Sequence, residues 1–150
     1  MKLAEALNNR KELSERMTRL KQRLCANVKV QEGDTPSEDP LHLLAQMQTT
    51  AGELENLVCR INHTNHQTQV NGTSLADLIT RRDVTLSYFK MLKDALDQAA
   101  ERADRYSKSE ICIKATIDVA EHQKQLDVMA KAIRQLDSQI QQTNWTTDLI

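Results

Sequence analysis

The side chains best equipped for chemistry lie in two stretches. One is Arg81, Arg82 and Asp83; the other is RADRYSKSEI over residues 102–111, with Arg105, Tyr106, Ser109 and Glu110. Guanidinium, carboxylate and hydroxyl groups gathered at one junction could line a ligand pocket, and a ligand-binding protein or enzyme using Arg82, Tyr106 and Glu110 is the alternative reading. Arg82 is the sharpest of them, because it falls on an otherwise apolar helical seam where a guanidinium must find a carboxylate or carbonyl. The same groups also serve to satisfy the backbone of an irregular corner, and that structural reading ranks first.

Other chemistries find less support. His63 and His66 can share one helix face, but two imidazoles alone do not hold a metal, and no third ligand stands nearby. A di-iron centre in a helical bundle needs two Glu-x-x-His motifs. None occurs here, and the nearest match is Asp39-x-x-His42. Cys25, Cys59 and Cys112 are odd in number, never form C-x-x-C and have no adjacent His, so neither a zinc site, a disulfide framework nor a nucleophile is indicated. No glycine-rich phosphate loop is present. No catalytic residue, metal or cofactor is therefore assigned, and a non-enzymatic role is expected.

The elements that must position these residues are helical. The chain has 150 residues, 39% hydrophobic and 27% charged, with 3% aromatic, three Gly and two Pro. That composition suits long helices packed side by side and lacks the turn residues of an all-β fold. No apolar run approaches the ~18 residues of a membrane span. The opening MKLAEALNNRKELSER is charged throughout, unlike the apolar centre of a signal peptide, so a cytoplasmic location is expected. The net charge of -1 is unevenly spread. Residues 1–30 carry eight Lys/Arg against three Glu, whereas residues 31–56 carry six Asp/Glu and no Lys or Arg. Neighbouring segments of opposite sign are expected to pack on each other, which argues against a nucleic-acid partner for the basic one.

The spacing predicts four amphipathic helices. Leu3, Ala6, Arg10, Leu13, Met17, Leu20 and Leu24 form the first seam. After the break EGDTPSEDP, Asp39 and Pro40 resemble an N-cap and first helical residue. The second seam follows: Leu44, Met47, Ala51, Leu54, Val58 and Ile61, with Leu43 and Leu57 as an additional row. Asn71-Gly72 supplies a turn, and Ser74-x-x-Asp77 opens the third helix on Leu75, Ile79, Arg82, Leu86, Phe89, Lys93, Leu96, Ala100 and Ala103, with Leu78 and Leu92 as an additional row. Asp118-x-x-Glu121 opens the fourth on Val119, His122, Leu126, Met129, Ile133, Leu136 and Ile140. Ile111, Ile113, Ala115 and Ile117 alternate with polar residues, as do Val28 and Val30, so a two-stranded β-ribbon pairing 27–31 with 111–117 is expected. Trp145 is expected to pack across a bundle end. The fold class is mainly all-α: a single domain of four long antiparallel helices, as a bundle or two helical hairpins.

NVKVQEGDTPSEDP (27–40), INHTN (61–65), RRD (81–83), DRYSKSEI (104–111), DVAEHQKQLD (118–127) and NWTT (144–147) resemble a family of small bacterial proteins often labelled septicolysin. The resemblance spans nearly the whole chain. It implies a bacterial protein whose preferred residues sit at the junctions, and it carries over no catalytic residue. The label implies a cytolysin, yet no apolar hairpin able to insert stably in a bilayer is present. The double apolar rows on the second and third helices instead point to a homo-oligomer, a dimer or higher.

Overall fold

The computed structural model describes residues 1–100 and 114–150. Its described residues form α1 (Leu3–Asn27), α2 (Pro40–Gln67), β1 (Gln69–Val70), β2 (Thr73–Ser74), α3 (Leu75–Ala100) and α4 (Val119–Thr146). The fold is mainly all-α with one small antiparallel ribbon. Helices start where capping chemistry places them. Asp39 accepts the Leu41 N–H at 2.9 Å, with Pro40 in the first turn, and Asp118 accepts the Glu121 N–H at 3.0 Å.

The ribbon lies elsewhere than the alternation predicts. It joins α2 to α3, pairing Gln69 with Ser74 and Val70 with Thr73. Asn71 (φ 51°) and Gly72 (φ 80°) supply the two positive φ angles of a type I′ turn, whose twist matches that of paired strands. Residues 28–31 and 114–117 contain no strand, and 111–113 lie outside the described residues. Two short alternating runs weigh less than a turn that pairs its own flanks. The 27–38 stretch is moreover committed to a loop by Asn27. Its buried amide donates to the Arg23 carbonyl at 2.9 Å and accepts the Glu38 N–H at 3.0 Å.

By packing, the chain divides into two compact units: Met1–Leu75 with Gln142–Ile150, and Ala76–Gln141. In the first, α1 and α2 run antiparallel. Arg23 bonds Glu38 at one end, with Nε 3.0 Å from Oε2, and Arg16 meets Glu53 at 3.9 Å farther along. The basic helix thus faces the acidic segment, as the charge pattern predicts. Hydrogen bonding to Arg23 holds the Glu38 carboxyl below its ordinary value.

Leu3, Leu20, Leu43, Leu57, Ile61 and Leu75 are the large side chains buried in this unit. On α2 the buried row is Leu43, Thr50, Leu57, Ile61 and Thr64, so of the predicted main seam Ile61 is buried while Leu44 and Ala51 are left exposed. The cause is the two threonines. Their hydroxyls donate to the carbonyls of Gln46 (2.8 Å) and Arg60 (2.9 Å), which satisfies them inside the core. Thr64 Oγ1 also accepts the Ile150 N–H at 3.0 Å. Residues 147–150 lie along the start of α1, where Leu3 donates to the Thr147 carbonyl and Leu149 to that of Met1, both at 2.9 Å. Trp145 does not pack as expected; it is 58% exposed.

In the second unit, Leu78 and Leu96 of α3 and Leu126, Ile133 and Ile140 of α4 are buried. Ile79, Leu86, Phe89, Met129 and Leu136, all on the predicted seams, are half-buried.

Candidate functional site

Arg82 sits on the α3 seam, half-buried, and is neutralised there. Its Nη1 donates to Asp137 Oδ1 of α4 at 3.2 Å. Its Nε lies 2.7 Å from Asp83 Oδ1, an ion pair whose angle is not that of a hydrogen bond. The guanidinium finds its carboxylates, as its seam position requires, and both acids are committed to it. Arg105, Tyr106, Ser109 and Glu110 lie outside the described residues, so of the predicted cluster the structure brings together Arg82 and Asp83.

Arg81, one residue earlier, has a different setting. It lines an open groove of about 900 Å³ with Lys131, Arg134, Gln135, Leu136 and Ser138 of α4. Arg81, Lys131 and Arg134 are exposed and make no ion pair within 4.0 Å among the described residues. Among the described residues no carboxylate lines the groove. Sequence reading passed over Lys131 and Arg134, which occupy the polar face of α4. Their spacing of three was visible there, but not their approach to Arg81.

Two grooves cross the first unit. One, of about 840 Å³, is lined by Asn9, Glu12, Leu13, Arg16, Glu53 and Arg60 among others. Its cations are engaged: Arg16 with Glu53 at 3.9 Å, Arg19 with Glu15 at 3.8 Å, and Arg60 Nε with the Ile150 carbonyl at 3.1 Å. The other, of about 550 Å³, is walled by Met17, Leu41, Leu44, Ala45, Met47 and Ala51, with Gln48 its polar member. Leu41 is 75% exposed and Leu44 48%. This is the α2 row left outside once Leu43, Thr50 and Leu57 form the core.

His63 and His66 are exposed on α2, and among the described residues no group of three or more His, Cys, Asp or Glu is placed to hold a metal ion. Cys25 and Cys59 are exposed free thiols. No helix among the described residues is long and apolar enough to cross a membrane.

A family model described as a family of unknown function (DUF6847) matches residues 10–149. The chain is also similar to a solved structure, a functionally unknown conserved protein from Corynebacterium diphtheriae. The two are 44% identical, the match covers 100% of this chain and 99% of that one, and the TM-score is 0.94. No curated protein matches the chain. These matches correct the resemblance to the septicolysin-labelled family, because the family model and the structural neighbour both lead elsewhere. The chain belongs to the family of unknown function DUF6847.

Proposed function

We propose that this protein is a non-enzymatic helical assembly protein that forms a homo-oligomer, pairing copies through the outer apolar row of α2. The observation that carries this reading is the groove walled by Met17, Leu41, Leu44, Met47 and Ala51. Leu41, Leu44, Met47 and Ala51 are apolar and spaced on one face of α2, with Met17 of α1 beside them, so covering them removes nonpolar surface from water at about 25 cal/mol per Å². A second copy fits because the same hairpin carries both charge signs. Antiparallel pairing about a two-fold axis lays the basic α1 of one copy beside the acidic 31–56 segment of the other. On α3, Val84, Tyr88 and Met91 are exposed at spacings of four and three and offer a further row. We place the protein in the reducing cytoplasm, where the exposed Cys25 and Cys59 stay as thiols.

Sedimentation velocity on the purified chain tests this. A concentration-dependent dimer or higher species is expected, reverting to monomer in the doubly substituted Leu44→Glu, Met47→Glu protein with its helical circular dichroism intact. A strict monomer at all concentrations sinks the proposal, as does an oligomer that the double substitution leaves unchanged.

A further inference from the structure

Three cations that make no ion pair within 4.0 Å among the described residues line the groove of the second unit. Arg81 approaches from α3, and Lys131 and Arg134 approach from α4. Exposed arginines without an ion pair are ordinary, Arg10 among them; this groove differs in that three cations meet in it and the acids next along the chain are held by Arg82. Asp83 and Asp137, the carboxylates nearest in sequence to Arg81 and Arg134 respectively, are both drawn to Arg82, at 2.7 and 3.2 Å. Among the described residues, the rest of the groove's lining is neutral: the Gln135 and Gln139 amides, the Ser138 hydroxyl, and the Ala132 and Leu136 side chains. Ser138 Oγ donates to the Arg134 carbonyl at 3.0 Å and contributes no negative charge. In the α1–α2 groove, by contrast, Arg16, Arg19 and Arg60 each have an acceptor within 4.0 Å, and Glu12 and Glu53 line the same walls.

Like charges held at one concavity repel, and an anion relieves that repulsion while gaining directed hydrogen bonds. The guanidinium fork matches the oxygen pairs of a phosphate, and lysine adds a point charge. Three positive charges suit a group carrying about −2 or more, which phosphate and its condensed forms supply and a single carboxylate does not. We infer that the Arg81–Lys131–Arg134 groove is a binding site for a small phosphate-bearing anion. It is separate from the apolar row of α2 and does not depend on self-association.

Isothermal titration of the full chain with inorganic pyrophosphate, at ionic strength held constant with potassium chloride, reads this directly. Saturable binding is expected, weakened about ten- to hundredfold in Arg81→Gln and in Arg134→Gln. Arg16→Gln and Arg19→Gln serve as controls and should leave it unchanged. These side chains are exposed, so unchanged melting profiles will show that every variant is folded. Absence of saturable heat overturns the inference, as does undiminished binding by the doubly substituted Arg81→Gln, Arg134→Gln protein. Binding to a short DNA duplex alone, falling steeply with salt and weakened equally by all four substitutions, also overturns it, assigning the surface to diffuse nucleic-acid contact instead.

Discussion

At the residue scale, the junction between α1 and α2 rests on Asn27 and Glu38. Asn27 ties the Glu38 backbone, while Arg23 holds the Glu38 carboxylate, so side chain and main chain are fixed together. Arg23 lowers the Glu38 proton affinity in the folded chain relative to the unfolded one. Folding therefore favours the carboxylate. That stabilisation is complete above the carboxyl's unfolded value and disappears as pH falls through its lowered folded value. Urea denaturation followed through an acid titration should show the native chain losing stability faster than Glu38→Gln, with the two curves converging once Glu38 is protonated. Parallel curves would show that the pair has no linkage to folding. Arg82 teaches a related lesson about legibility. Its place on an apolar seam announced that it needs a carboxylate, and it has two. That one of them is Asp137, 55 residues away, is set by how α3 meets α4 and is written in neither segment alone.

At the scale of elements, sequence and structure agree where local chemistry decides. A 3.6-residue period, an Asp-Pro start and an Asp-x-x-Glu start mark helices through interactions spanning one turn, and α1, α2 and α4 begin within a residue or two of those marks. Agreement fails where a polar residue enters the core by bonding its own helix. Thr50 and Thr64 are polar and belong to no apolar stripe, yet both are fully buried. The main-chain pairing of residues 147–150 with the start of α1 was equally hidden, since such bonds ask little of side-chain type. The ribbon shows what does specify a strand pair. Gly72 has φ 80°, and a Cβ placed there meets nothing within 4 Å, so the cost of Gly72→Ala is backbone strain alone, about 1 kcal/mol or more. Gly52 also has open space but sits within α2, where alanine is favoured by roughly 0.5–1 kcal/mol. Thermal denaturation should thus show opposite signs for the two glycine-to-alanine changes. A shared sign would mean that the positive φ at Gly72 is not what holds the turn.

At the scale of the whole molecule, the question is what the unused apolar surface does. Two-helix layers bury one stripe per helix, and the chain carries more than one on α2 and on α3. Leu41 (75% exposed), Met91 (67%) and Tyr88 (56%) face water, where single apolar residues are ordinary but spaced rows are not. If copies cover these rows, association and folding are linked, because a partner that binds only the folded chain stabilises it by mass action. The melting temperature of the native protein should then rise with its concentration. In Leu44→Glu the α2 row carries a charge whose burial is costly unless paired, so its melting temperature should stay level across the same range. Leu44 is 48% exposed, and glutamate there is solvated in the isolated copy, so the two proteins should melt alike at high dilution. Divergence at high concentration with convergence at low concentration is the signature of a surface kept apolar for a second copy. A native melting temperature that does not move with concentration would instead make the row an ordinary solvated face.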